Sequence, residues 1–367
     1  MFTRNDTKII KGMTILLMLA HHLFLFPERY PAGFGFDSPV WTDEVAAITV
    51  IGRFGKICVS MFMFLGGYGL WCQREKASLL SHSIIKLYKA YWKVLLIFIP
   101  IGFLFFSNQI SYCEEEAITQ IFSNFNLKKL ASNIMGWEAT YNREWWFFRE
   151  YLCMLFLGYF YMKSVPRFGF GRESFLVIVL MILGKDFFPG IISLDALAGL
   201  EANIWFSRLF LFEESSGCFF LGIVFARYNG IEIMREAFHV FRTGVRKVLA
   251  LAGIISMVYI RYYILGSELD VFYVPCLIVF FLELLDGVPF LPNIFSILGQ
   301  NSTNMWLTHT FFCYYFYPFV QLTHVSSNPW IDLTILTVLS LGASVLLDGF
   351  YKIAGKVTRP LIYAKGV

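Results

Sequence analysis

Charge is what this chain has least of. Asp, Glu, Lys and Arg together make up only 15% of its 367 residues, where soluble domains carry about 25%, and that shortage excludes an ordinary water-soluble enzyme. The 26 acidic residues are outnumbered by the 41 phenylalanines alone. A net charge of only +4 gives no basic surface of the kind that binds nucleic acid. Cysteine is sparse and scattered: Cys58, Cys72, Cys113, Cys153, Cys218, Cys276 and Cys313 show no C-x-x-C spacing, which points away from a disulfide framework and a zinc site. No soluble domain, linker, low-complexity tract or convincing repeat interrupts the chain, and the first apolar stretch lacks the small-residue cleavage site of a removable signal peptide.

What abounds is hydrophobic. Apolar residues reach 57% and aromatic residues 19%, as expected of lipid-facing helices with interfacial aromatic belts. On the ruler of about 17–25 residues per span, the chain divides near 9–26, 48–71, 90–107, 145–162, 174–190, 205–226, 248–265, 271–286, 297–319 and 330–350. Basic residues then sort to one side: Arg4, Lys8 and Lys11; Arg74 to Lys93; Lys163, Arg167 and Arg172; Arg227 to Lys247; and the tail from Lys352 to Lys365. The positive-inside rule puts these in the cytoplasm. The expected fold is all-α, a polytopic bundle of about ten transmembrane helices, N-in and C-in, multi-pass in the cell membrane. Residues 1–367 form one expected domain. The segment Ser107–Glu144, with its acidic run Glu114–Glu115–Glu116, is expected outside, long enough for short amphipathic helices on the outer surface.

Ionisable groups inside such spans are costly and mark cavities, ion paths or reacting groups. Lys11 and His22 lie eleven residues apart, almost three whole turns, so they share a helix face about 16 Å apart. His21 points elsewhere, about 100° round, so the two adjacent imidazoles cannot ligate one haem iron together. His22 sits about 6 Å below the outer end of its span and Glu150 about 8 Å below the same surface. Pairing at matched depth would fix the imidazole tautomer and stabilise its protonated form, which a general base taking a hydroxyl proton needs. The bland alternative is a helix–helix hydrogen bond without chemistry.

Arg53, Lys56, Arg149, Arg208, Glu213, Glu214 and Arg261 also crowd the outer half and imply a water-accessible cavity. Of these, Arg53 and Arg149 are the candidates for holding an acidic acceptor or steadying developing negative charge. On the inner side, Lys86, Lys89 and Lys93 repeat at helical spacing, interleaved with Tyr88, Tyr91 and Trp92. Cytoplasmic anchoring explains them, and so does a phosphate-rich ligand. The aromatics suit either an interfacial belt or a nucleotide-stacking surface.

Four segments, in order and across most of the chain, resemble acyltransferase family 3, a family of integral membrane acyltransferases. Lys11-x10-His22 resembles its first-helix Arg-x10-His, with lysine for arginine. GKICVSMFMFLGGYGLW, residues 55–71, resembles its Phe-rich second helix, with Gly66 where serine is usual. KLYKAYWK, residues 86–93, resembles its basic Arg-x2-Arg, again with lysines. SILGQNSTNMWLTHTFF, residues 296–312, resembles its late helix and supplies Gly299, Ser302, Leu307 and His309. Trp145 and Glu150 fall where the family carries Trp-x4-Glu.

The resemblance implies transfer of an acyl group, usually acetyl from acetyl-CoA, to a hydroxyl of a cell-surface or exported polysaccharide or its lipid-linked precursor. His22 would be the essential histidine and Lys11 its first-helix partner. Lys86 and Lys89 would contact CoA phosphates, as point charges without the bidentate fork of arginine. His309 joins Arg53 and Arg149 on the acceptor side. The implied partners are acyl-CoA, a glycan and membrane lipid, with no nucleic acid and no metal. The rival readings are a transporter or flippase, which a bundle with intramembrane charges also suits, and a membrane-anchored sensor or scaffold, for which no soluble output module is visible.

Overall fold

The structure, a computed structural model, describes residues 2–42, 45–192, 216–263 and 269–363. It is largely helical. In chain order come α1 (Arg4–Phe24), a 3-10 turn at Pro27–Arg29, a small antiparallel hairpin of β1 (Val40–Thr42) and β2 (Val45–Ala46), α2 (Ala47–Gly55), α3 (Ile57–Cys72) and α4 (Leu79–Phe105). Then follow α5 (Glu116–Thr119), α6 (Leu127–Ile134), α7 (Trp146–Ser164), α8 (Phe170–Ile192), α9 (Ser216–Tyr228), α10 (Gly230–Phe238), α11 (Thr243–Tyr263) and α12 (Asp270–Leu285). The last are α13 (Leu291–Thr310), a π-turn at Phe311–Tyr315, α14 (Tyr317–Thr323) and α15 (Pro329–Tyr363).

Among the described residues, four helical stretches are long and apolar enough to cross a membrane: Ala47–Cys72, Leu79–Phe105, Thr243–Tyr263 and Pro329–Gly355. The pair α9 and α10 makes a fifth if its 74° bend lies within one span. Asn229, in the left-handed region at φ 55°, makes that bend, a conformation asparagine tolerates better than most residues. The surfaces of these helices fit a lipid solvent. On α11 only Ala250, Met257 and Arg261 are buried, while Val248, Leu251, Ile255 and Tyr259 stand exposed. Apolar exposure on that scale suits acyl chains far better than water. This is a polytopic membrane architecture. Arg208, Glu213 and Glu214 of the expected outer cluster lie outside the described residues, as do part of the expected 205–226 span and Lys365.

The chain divides into two compact units. The first comprises residues 1–17, 53–84 and 149–299; the second comprises 18–52, 85–148 and 300–367.

In the first unit, glycine lets helix backbones meet. A Cβ on Gly67 would overlap the Phe219 carbonyl, and one on Gly222 would overlap the Phe64 carbonyl, so α3 and α9 touch through reciprocal glycines. Gly12 against Phe295 and Gly299 against Lys8 repeat the device between the second and third turns of α1 and α13. In lipid, where burial of apolar surface drives little, such close approach is how helices gain packing energy. The α1 start is fixed by a reciprocal cap, Thr3 N to Asp6 Oδ2 at 2.8 Å and Asp6 N to Thr3 Oγ1 at 3.1 Å. Two buried polar knots complete this unit. Asp270 takes Arg261 at 2.9 Å and Ser60 at 2.7 Å. Glu173 takes Arg227 at 2.5 Å, Tyr161 at 2.7 Å and Tyr228 at 2.8 Å. Both carboxylates thus have the partners that a buried charge requires.

The second unit is built on aromatic rings. Tyr91 packs on Trp145 and Phe148, Trp145 on Phe311, and Phe98 on Phe311 and Phe316. Trp145 also donates its indole N–H to the Leu307 carbonyl at 3.0 Å, as buried tryptophan generally must. The segment 107–144 holds the short helices α5 and α6, and it does not stay at the end of α4. Tyr88, Tyr91 and Trp92 donate to the carbonyls of Met135, Asn133 and Ile134 at 2.7, 2.7 and 2.8 Å. Trp92 lies thirteen residues, about 20 Å, from the Phe105 end of α4, so the segment doubles back alongside that helix. The three aromatics are the C-terminal cap of α6, satisfying carbonyls that a helix end leaves open.

Candidate active site

His21 and His22 end α1 and part company. His21 is buried and sits with Nδ1 2.8 Å from the Gly52 carbonyl. His22 faces a different set of side chains. The Tyr314 hydroxyl donates to the His22 backbone carbonyl, and its oxygen lies 3.4 Å from His22 Nδ1. A phenol has one proton; with that proton given to the carbonyl, the oxygen can only accept from Nδ1–H. The tautomer this favours leaves the lone pair on His22 Nε2, the state a general base needs. Phe26 stacks against the same imidazole at 6.0 Å between centroids.

The π-turn at Phe311–Tyr315 is what aims Tyr314 there. Its extra residue per turn swings neighbouring side chains to separate partners, and π-turns recur at functional sites. Tyr314 goes to His22, whereas Tyr315 donates to Glu144 Oε2 at 2.7 Å. Gln109 Nε2 ties the Tyr315 carbonyl at 2.9 Å, and Asn142 Nδ2 reaches Thr310 Oγ1 at 2.6 Å.

Arg29 locks the arrangement. Its guanidinium lies over the Tyr314 ring at 4.6 Å and over Phe26 at 4.8 Å, reaches Glu144 Oε1 at 2.8 Å and meets Glu115 Oε2 at 3.0 Å. Arg143 pairs with the other Glu115 oxygen. Burial works against the Arg29 charge, and Tyr314, Glu144 and Tyr315 outweigh it, so its pKa lies above the ordinary arginine value. Two guanidinium groups and two carboxylates thereby hold the loop after α1 against the segment 107–144 with no net charge.

His309 comes to the same place from α13. It is fully buried, its ring centroid 4.9 Å from that of His22 at an interplanar angle of 48°. Its Nδ1 lies 2.7 Å from the Trp306 carbonyl, and its Nε2 has no hydrogen-bond partner among the described residues.

The other expected residues are placed as follows. Lys86 and Lys89 project from α4 exposed, while Lys93 reaches Asp348 at 3.3 Å and lies over Tyr351. In the first unit, Arg149 and Glu150 form an ion pair at 3.0 Å, so the carboxylate expected to orient an imidazole is held by its neighbour. Arg53 is exposed and rests over the Tyr262 ring at 5.0 Å, and its carbonyl takes Arg261 Nη1 at 2.8 Å. Lys11 is half-buried on α1, beside the glycine that seats Phe295. The structure brings together His22 with His309, and Arg149 with Glu150.

The model of acyltransferase family 3, described as an acyltransferase domain, matches residues 6–349. The chain belongs to that family. No curated protein and no solved structure matches it. Membership agrees with acyl transfer in general and with the use of an acyl donor and an acceptor.

For this family member, sequence reasoning missed Tyr314, Tyr315, Arg29 and Glu144. Tyr314 and Tyr315 lie in FFCYYFYP, an aromatic run that reads as lipid-facing span. Arg29 and Glu144 read as loop charges. The one available signal was Glu144 directly before Trp145, an acid at the edge of an apolar run, where a free charge is expensive.

Proposed function

We propose that this protein is a membrane O-acyltransferase that moves an acetyl or other short acyl group from cytoplasmic acyl-CoA to a hydroxyl of a cell-surface or exported polysaccharide, or of its lipid-linked precursor. The observation that carries this reading is the His22–Tyr314 pair, which leaves an imidazole nitrogen free to take a proton. His22 would remove the hydroxyl proton as the oxygen bonds to the thioester carbonyl carbon. The carbon–sulfur bond then breaks, and the proton leaves with the CoA thiolate. The same base serves direct transfer and an acyl-enzyme route. Tyr314 would keep the imidazole in the tautomer that accepts the proton, and His309, beside it, would help to hold the acceptor.

Lys86 and Lys89 support the donor side. They are exposed cations on α4, free to meet CoA phosphates. In the proposed topology of about ten spans, N-in and C-in, they face the cytoplasm.

The test is CoA release by purified protein given acetyl-CoA and a candidate glycan. His22→Ala should abolish it with folding intact; wild-type turnover in that variant would refute the base. Lys86→Ala with Lys89→Ala should raise the apparent KM for acetyl-CoA, and an unmoved KM would leave these lysines as membrane anchors. A carrier is the second reading, favoured by the 74° break at Asn229, since broken helices line the binding sites of many transporters. A pure carrier would show neither thioester cleavage nor CoA binding in detergent.

A further inference from the structure

His309 carries an unanswered question of chemistry. Its Nδ1 lies 2.7 Å from the Trp306 carbonyl, three residues back on the same helix. A carbonyl only accepts, so Nδ1 bears the proton and Nε2 bears a lone pair. That lone pair is sealed from solvent and meets no donor among the described residues. A buried acceptor without a partner is costly, and a leucine would fill the place without that cost. The arrangement makes sense when a donor arrives from outside the chain.

The position says which donor. The neighbouring ring is His22, 4.9 Å away between centroids, and its own free nitrogen is an acceptor too. Two adjoining rings that each carry an acceptor nitrogen disfavour a further acceptor, and a single donor cannot satisfy both at full strength. A molecule with two hydroxyls on adjacent carbons supplies one donor to each.

Resting on the proposed transfer reaction, we infer that the acceptor is a vicinal diol, as sugar rings commonly present. One hydroxyl gives its proton to His22 and is acylated. Its neighbour donates a hydrogen bond to His309 Nε2 and stays free. His309 is therefore the specificity-determining residue that selects which hydroxyl reacts, and the product is a monoester flanked by a free hydroxyl. The alternative occupant is a resident water, which would satisfy His309 without reference to the acceptor.

The experiment uses the full chain in detergent with acetyl-CoA and two surrogate acceptors, cis-cyclohexane-1,2-diol and its monomethyl ether. The ether keeps one hydroxyl and nearly the same shape but cannot donate to a second nitrogen. Wild type should prefer the diol by about tenfold or more in kcat/KM, because a site that expects a donor rejects the analogue lacking it. His309→Leu should bring the two acceptors within about twofold of each other while leaving the KM for acetyl-CoA unmoved. His309→Gln, whose side-chain carbonyl restores an acceptor, should keep part of the preference and decides the matter if the leucine variant fails to fold. Equal use of both acceptors by wild type, or a preference unchanged in His309→Leu, overturns the diol assignment and leaves the transferase intact. No CoA release by wild type with either alcohol or any glycan overturns both.

Discussion

Tyr314→Phe removes one oxygen and little else. The ring that Arg29 covers at 4.6 Å remains, so the ion pairs of Arg29 with Glu144 and Glu115 keep their seat. What goes is the donor to the His22 carbonyl and the acceptor 3.4 Å from Nδ1. The carbonyl belongs to the last turn of α1, where intrahelical partners run out, and leaving it unpaired costs about 1–3 kcal/mol. The same hydroxyl holds the ring angle and the tautomer, so a comparable amount is lost when the proton moves. At about 1.4 kcal/mol per decade of rate, kcat should fall roughly 10- to 100-fold. The KM for acetyl-CoA should not move, since the hydroxyl touches neither Lys86 nor Lys89. The assay is thiol release from acetyl-CoA at saturating acceptor, with size-exclusion profile and thermal midpoint as checks on folding. A kcat within about twofold of wild type, in protein that folds normally, would refute the assignment of Tyr314 as the group that orients His22.

Other perturbations probe the scaffold. Gly67→Ala should destabilise by about 1–3 kcal/mol, because the new Cβ would meet the Phe219 carbonyl, while Gly69→Ala, with open space around it, should be nearly silent; equal midpoints in a thermal melt would contradict the close-approach account. Arg227→Met leaves Glu173 buried with only its two tyrosine donors, and should cost about 3–5 kcal/mol, part of it recovered by adding Glu173→Gln; a simply additive double variant would argue against the pair. His324 is buried among Tyr30, Phe34 and Phe36, and burial, partly offset by the Val320 carbonyl, lowers its pKa to about 4. Above the unfolded value of about 6.5 the residue is neutral in both states; as pH falls towards 4 the unfolded chain takes a proton that the folded one refuses, and roughly 3 kcal/mol of stability is lost. The thermal midpoint should drop across that window, and less so in His324→Phe; a slope identical in the two proteins would rule His324 out as its source.

Much of the helix pattern was legible because hydropathy averages over many residues. The stretches expected at 48–71, 248–265 and 271–286 meet helical residues at Ala47–Cys72, Thr243–Tyr263 and Asp270–Leu285. Where the pattern misled, a local event was to blame. α4 begins eleven residues earlier than the apolar run suggests, since Lys86, Lys89 and Lys93 depress the average without breaking the helix. The run 297–319 read as one element, yet Phe316 turns extended (φ −105°, ψ 95°) and α14 starts afresh with proline in its first turn. In the site, His22 and His309 were legible through motif spacing. Arg29, Glu144 and Tyr314 were not, because they meet from distant parts of the chain and obey no shared period. The pairing of Glu150 with Arg149 was equally hidden: adjacent residues do not face each other on an ideal helix, so the sequence gives no reason to expect it.

The glycine seat of α1 has a consequence for biogenesis. Phe295, which fits against Gly12, leaves the ribosome roughly 280 residues after it. At about 5–20 residues per second, α1 waits tens of seconds with its notch exposed to lipid or to whatever holds it. Its assembly is therefore post-insertional by construction, and chains cut short before α13 should be cleared by membrane quality control even if every earlier helix has entered the bilayer.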